Sequence, residues 1–194
     1  EIYFGSDNEA LHGYNSFGEE IDGFPFQSTD RVRSSPAVGD VDNDGQMEIV
    51  FGNSSGKLYI VNHDGTQQLA YNILGFIEGS PALVDVDGDQ DLEIIFNTTT
   101  TSGGKLYAIH HNGITMSGFP KELGSMWTGP AVHDIDNDGA YDIVCTTYDK
   151  EIYAIDVNGG AIKPGFPVTL EGRLDISPTV VDVDSDGDYE LSLI

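Results

Sequence analysis

An aspartate-rich loop of one design occurs four times in this chain, each copy set between two apolar runs. The copies are Asp40-Val-Asp42-Asn-Asp44-Gly-Gln46-Met-Glu48, Asp85-Val-Asp87-Gly-Asp89-Gln-Asp91-Leu-Glu93, Asp134-Ile-Asp136-Asn-Asp138-Gly-Ala140-Tyr-Asp142 and Asp182-Val-Asp184-Ser-Asp186-Gly-Asp188-Tyr-Glu190. Each places acids at positions 1, 3, 5 and 9. Four carboxylates in nine residues repel one another unless a cation sits among them, so the loops point both to a cation and to a tandem repeat. Their first aspartates are 45, 49 and 48 residues apart. A period in the forties built on strands is the signature of propeller blades. Paired-helix repeats of similar period need a 3.6-residue apolar pattern over ten or more residues, and here 24 Gly and 8 Pro interrupt every such run.

Each unit reads as four short strands. The first, nearest a propeller axis, is rich in small residues: Ser35–Gly39, Ser80–Val84, Gly129–His133 and Ser177–Val181. The acidic loop follows. The second strand is a continuous aliphatic run, as expected of a strand buried on both faces: Glu48–Gly52, Glu93–Phe96, Asp142–Cys145 and Glu190–Leu193. The third alternates, at Lys57–Val61, Lys105–Ile109 and Glu151–Ile155, and ends in the hairpin signals Asp64-Gly65, Asn112-Gly113 and Asn158-Gly159. A more polar fourth segment closes the unit. Three of these segments carry Gly-Phe-Pro, at 23–25, 118–120 and 165–167, and the proline suits an edge strand that refuses further pairing. Residues 1–5 align with a second strand and 11–25 with a third and fourth. The expected fold is therefore an all-β propeller of four-stranded blades. Its units are a partial blade at 1–30, full blades at 31–75, 76–124 and 125–172, and a partial blade at 173–194. That makes about four blade equivalents, forming either a closed ring or part of a larger one.

The loop chemistry points to calcium. Ca²⁺ takes six to eight oxygens, chiefly carboxylates and carbonyls. Positions 1, 3 and 5 supply Asp40, Asp42 and Asp44; Asp85, Asp87 and Asp89; Asp134, Asp136 and Asp138; and Asp182, Asp184 and Asp186. Position 7 offers the carbonyl of Gln46, Asp91, Ala140 or Asp188, and Glu48, Glu93, Asp142 or Glu190 closes the sphere from position 9. One Ca²⁺ per loop, up to four, is the expectation. An EF-hand is excluded, because it needs its closing glutamate at position 12 and flanking helices. Glycine at position 6 permits a left-handed turn. The second loop has Gln90 there and Gly88 at position 4, and a left-handed Gln90 costs roughly 1 kcal/mol, which predicts a distorted or weaker site.

The formal net charge is −25, from 33 acids and 8 basic residues, and four Ca²⁺ would offset only about eight of those charges. Such a surface excludes nucleic acid and anionic membranes as partners. No apolar run is long enough to span a membrane. The single cysteine, Cys145, allows no intrachain disulfide and reads as a core residue, its counterparts being Phe51 and Phe96. Millimolar calcium and the absence of cystine suit a secreted or cell-surface protein stabilised by metal. Glu1 is not a natural start, so the chain reads as a mature or trimmed segment. His110-His111 reads as a solvated strand end, and none of the five histidines shows metal-ligand spacing. Asn53-Ser-Ser55 and Asn97-Thr-Thr99 are formal glycosylation sequons on hairpin turns.

Together these residues resemble the FG-GAP/VCBS repeat family, whose best-known members are the integrin α-subunit propellers. Phe4-Gly5 and Phe51-Gly52 match its Phe-Gly. Ser35-Pro36-Ala37, Ser80-Pro81-Ala82 and Gly129-Pro130-Ala131 stand where it has Gly-Ala-Pro, and the acidic loops match its calcium hairpins. The Gly-Phe-Pro segments are similar to those of bacterial secreted relatives. Phe-Gly is absent after the second, third and fourth loops. The resemblance implies a β-propeller with calcium between strands 1 and 2 and a role in adhesion or recognition.

An active site is normally unique, whereas these acids recur in every unit, so the chain reads as a binding or scaffold module rather than an enzyme. The alternative is the propeller part of a secreted polysaccharide lyase or other extracellular hydrolase. A specific ligand site belongs where the units differ. Three residues before the proline of strand 1 they carry Arg33, Glu78, Trp127 and Asp175, on the propeller face opposite the loops. There a protein or glycan partner is expected, with Trp127 able to stack on a sugar.

Overall fold

A computed structural model of the chain describes residues 1–192. It is built of antiparallel sheets, and no helix occurs among the described residues. The first sheet joins β1 (Ile2–Gly5), β2 (Ala10–Tyr14) and β3 (Phe26–Gln27). Three four-stranded sheets follow. They are β4 (Ala37–Gly39) to β7 (Gln67–Asn72), through β5 (Glu48–Gly52) and β6 (Lys57–Asn62); β8 (Ala82–Val84) to β11 (Lys121–Leu123), through β9 (Glu93–Thr100) and β10 (Gly103–Ile109); and β12 (Ala131–His133) to β15 (Val168–Thr169), through β13 (Asp142–Thr146) and β14 (Glu151–Asp156). The last sheet pairs β16 (Thr179–Val181) with β17 (Glu190–Ser192). Leu193, expected to extend this final strand, and Ile194 lie outside the described residues. Within each full sheet the strands follow chain order from inner to outer edge, as in a propeller blade. The inner strands β4, β8, β12 and β16 contact one another in sequence.

The aliphatic second strands are buried on both faces, and their two-residue period decides which neighbour each side chain meets. On β5, Ile49 and Phe51 enter a core shared with the first sheet, beside Leu11, Phe24 and Val32. Val50 points the other way, into a core with Ile94 and Phe96 of the next sheet and Ile77 of the segment that leads into it. The scheme repeats. Ile95 of β9 faces Met126, Ile143 and Cys145, and Val144 of β13 faces Leu174. Burying each such side chain contributes about 1.5–3 kcal/mol, and the cores lie between sheets, so no blade is stable by its own packing. Cys145 is a core residue as expected, and burial pushes its thiol pKa up to about 12.

Phe51-Gly52 has a packing cause. Phe51 fills the core behind β5, and a Cβ on Gly52 would collide with the Ile77 side chain of the next blade. Val32 stands in the same relation to Gly5. Where Phe-Gly is missing, a polar side chain makes the inter-blade link instead. Asn97 donates to the Thr128 carbonyl at 2.5 Å, and Thr146 donates to the Ile176 carbonyl at 3.0 Å. Asn53 donates to the hydroxyls of Ser28 and Thr29, and Asn53 and Asn97 are 0% and 1% exposed, so neither sequon is presented for modification in the folded chain.

The Gly-Phe-Pro segments form turns that precede the edge strands β3, β11 and β15, so the fourth strand begins after the motif rather than within it. Their Phe-Pro bonds are cis. Gly23 and Gly118 have positive φ and lie against the backbone of the next blade's hairpin turn, at Asp64-Gly65 and Gly159 respectively, where a side chain would not fit.

Gly52→Ala is expected to destabilise the chain by about 1–3 kcal/mol through overpacking against Ile77, measured as a lower urea midpoint with unchanged slope.

Candidate metal loops and the opposite face

Position 2 of each loop is apolar, and in the first three loops it anchors the loop to the core, whereas Val183 of the fourth is 68% exposed. Val41 is fully buried between blades, and Val86 and Ile135 pack against the corresponding later cores. Its backbone N–H donates to the position-9 acid in all four copies: Val41 to Glu48 at 2.9 Å, Val86 to Glu93 at 3.0 Å, Ile135 to Asp142 at 3.3 Å and Val183 to Glu190 at 2.8 Å. The position-1 carboxylate is the hub of the turn. Asp40 accepts from Asp44 and Gly45, Asp134 from Asp138 and Gly139, Asp85 from Gly88 and Gln90, and Asp182 from Ser185 and Gly187. The position-5 acids Asp44, Asp89, Asp138 and Asp186 accept the N–H of Gln46, Asp91, Ala140 and Asp188.

Positive φ occurs at position 6 (Gly45, Gln90, Gly139, Gly187) and also at position 4, in Asn43, Gly88, Asn137 and Ser185. The second requirement was legible in the two asparagines, which tolerate the left-handed region. The second loop places its glycine at position 4 and keeps the backbone turn, with Gln90 at φ 81°.

The loops bring their acids together. Carboxylate oxygens of Asp40, Asp42 and Glu48 lie within 4.8 Å of one another, as do those of Asp134, Asp136 and Asp142 and those of Asp182, Asp184 and Glu190. In the second loop Asp85, Asp87 and Asp89 converge, and Asp87 and Glu93 form a further group with His110. Position-5 acids outside the second loop stand apart from these tightest groups. An all-carboxylate donor set suits a hard divalent cation, and in the first loop Oδ1 of Asp42 is buried with no hydrogen-bond partner. That loop and the fourth fit such an ion.

Two loops contain other groups. His110 and His111 are not a solvated end. The Nδ1 of His110 is 2.9 Å from Glu93, that of His111 is 3.0 Å from Asp91, and both rings are about three-quarters buried. The cause is register: Ile94 pairs with Ile109, which sets His110 opposite Glu93. In the third loop the Lys163 ammonium lies 2.8 Å from Asp136, 3.1 Å from Asp138 and 3.1 Å from Asp142. Desolvation pulls the pKa of Lys163 down, but its three carboxylate partners outweigh this and leave it raised. No spacing rule in the sequence signals that contact.

Burial raises the pKa of Glu48, Glu93 and Asp142 at position 9. Glu48, Glu93 and Asp142 are 2%, 0% and 0% exposed, and desolvation is the main cause in each. The backbone N–H at position 2 opposes it throughout, as do His110 at Glu93 and Lys163 at Asp142.

The strand-1 residues Arg33, Glu78, Trp127 and Asp175 precede the inner strands, whereas the loops follow them, so the two sets occupy opposite ends. The structure groups the four in pairs. Arg33 lies 2.9 Å from Asp7 and 3.9 Å from Glu78. Trp127 and Asp175 line a cavity of about 380 Å³ with Thr100, Ser125 and Tyr148, and Arg173 lies 4.2 Å over the Tyr148 ring. Trp127 is 44% exposed. No helix among the described residues is long and apolar enough to cross a membrane.

In metal-free buffer, Glu48→Gln is expected to gain stability relative to the parent as pH rises. The folded chain holds the Glu48 proton above the ordinary value of 4.5, so the parent loses stability from that pH up through the raised pKa, and the neutral amide does not. Urea midpoints in EGTA at pH 4 and pH 7 check this.

Residues 40–96 match the FG-GAP-like repeat. No curated protein sequence matches the chain. Among solved structures, it is similar to the C-terminal domain of Pseudomonas aeruginosa PilY1 (TM-score 0.71, 14% identity, 98% of this chain and 51% of that one). It is also similar to the V. cholerae biofilm matrix protein Bap1 (0.68, 19%, 95% and 28%) and to BamB from Moraxella catarrhalis (0.63, 21%, 93% and 49%). The chain thus spans about half or less of these proteins. Its fold is that of a β-propeller segment, and within it residues 40–96 are similar to the FG-GAP-like repeat.

Proposed function

We propose that the chain is a calcium-stabilised, extracellular β-propeller module that recognises a protein or glycan partner. The observation that carries this is the recurrence, at one place in each unit, of converging carboxylates whose position-9 member is buried in three of four copies. A buried negative charge is costly without a counter-ion, and Ca²⁺ at extracellular concentration supplies one. Bap1, a biofilm matrix protein of similar fold, agrees with a surface or matrix setting. In the first and fourth loops calcium acts structurally, joining the position-1, position-3 and position-9 acids and so tying the loop to the strand that follows it.

Recognition falls to the opposite face. Trp127 offers an exposed ring, with Asp175, Ser125 and Thr100 around it as hydrogen-bonding groups, a combination suited to a sugar ring or a partner's aromatic side chain. The Arg173–Tyr148 stack beside this cavity favours a second reading, a polysaccharide-cleaving propeller with a basic, aromatic cleft.

EGTA is expected to lower the melting temperature, and calcium at a thousandfold excess over Kd to restore about 4 kcal/mol per occupied site; an unchanged melting curve would falsify the calcium reading. On a panel of acidic and neutral glycans and surface proteins, Trp127→Ala should weaken binding about two- to tenfold, since a lost aromatic stack is worth about 0.5–1.5 kcal/mol. Unchanged binding refutes the face assignment, and new unsaturated sugar ends would establish the cleaving alternative.

A further inference from the structure

The third loop differs from its relatives in two residues that belong together. Elsewhere position 9 is glutamate, at Glu48, Glu93 and Glu190; here it is Asp142, one methylene shorter. The second difference lies after the third strand of the blade. Lys163 donates its backbone N–H to Ala154, as Met116 does to Ala108 and Ile21 to Gly13, each at 2.9 Å. In the remaining full blade, Leu69 pairs with Ile60 at the corresponding place. Three of the four side chains at this position are therefore apolar, and only Lys163 carries charge. Its side chain is 11% exposed and its ammonium is within 3.1 Å of Asp136, Asp138 and the fully buried Asp142. The shorter acid holds its carboxylate closer to its strand, and the backbone bond to Ala154 anchors the lysine stem beside the loop, where its tip reaches Asp142 at 3.1 Å.

We propose that Lys163 is the resident cation of the third loop, holding it folded and excluding a divalent ion from it. A calcium ion needs oxygens at about 2.3–2.6 Å, and its neighbours here would be the same oxygens that bind the ammonium, placing two cations side by side. An ammonium tethered to the chain is present at every calcium concentration, whereas the first and fourth loops depend on the ion supplied from solution. The third loop therefore stays ordered when calcium is withdrawn, and calcium changes the others around it. The exclusion half of this inference rests on the calcium reading of the other loops.

The test uses the 194-residue chain and calcium alone. Amide exchange with calcium or EGTA should show Asp138, Gly139 and Ala140 equally protected in both, while Asp44, Gly45 and Gln46 exchange at least about tenfold faster in EGTA. Calcium-dependent protection at 138–140 overturns the proposal. Equilibrium dialysis with radioactive calcium should find one more ion on Lys163→Met/Asp142→Glu, which gives the third loop the residues found elsewhere, than on the parent. An equal, non-zero count overturns it. If neither protein binds calcium, the reading of the other loops falls, and Lys163 is judged by exchange in EGTA: faster exchange at 138–140 in Lys163→Met supports it, and an unchanged rate overturns it. The exchange comparison on the parent needs no variant to fold.

Discussion

The hydrogen bond from the position-2 N–H to the position-9 carboxylate is the contact on which the rest of this structure depends. It closes the base of each acidic loop and sets the first residue of the second strand, the strand whose two faces supply the cores on either side of a blade. The same bond brings a carboxylate into a buried place, with Glu93 and Asp142 fully covered. Burial favours the neutral acid, and the surrounding aspartates add to that at Glu48. A fold that anchors its loops on buried acids must then balance their charge, and the loops differ in how far the chain supplies that balance itself.

Those differences grade the repeats. Around Asp42 the available neighbour is an amide, Gln68, at 2.8 Å; at Glu93 it is an imidazole; at Asp142 it is an ammonium. Each comes from the outer half of the same blade, but from a different position on it, so three chemistries reach the loops by three routes. At the opposite end of the propeller the segments before the inner strands carry the inter-blade hydrogen bonds of Thr128 and Ile176, with Trp127 and Asp175 alongside, so a candidate recognition surface and the joints between blades are made from adjacent residues.

Much of the fold was legible in the sequence because the repeat states each local rule several times. The second strands were readable from their aliphatic runs, and Glu48–Gly52 agrees with β5 residue for residue. Agreement among four copies distinguished a strand buried on two faces from an isolated apolar run. The histidines were misread because His110 meets Glu93 through cross-strand register, a relation between residues 17 apart that no local spacing displays. Lys163 was passed over for a similar reason. Its partners lie 21 to 27 residues away, and a lone lysine between Ile162 and Pro164 looks like an ordinary surface residue. Asn53 and Asn97 looked like accessible turn residues until their side chains were seen holding neighbouring segments.

The sequence by itself determined the period, the strand order within a blade, the positions of the carboxylates and the need for left-handed residues in the turn. These follow from short-range rules of backbone conformation and like-charge repulsion that act within about nine residues. Only the tertiary structure decided which loops face solution with their acids free and which already hold a basic group, and it paired Arg33 with Glu78 and Trp127 with Asp175. Those outcomes depend on cross-strand register and on the stacking of one blade upon the next, where side chains distant in sequence come within hydrogen-bonding distance and the low-dielectric interior makes their charges matter.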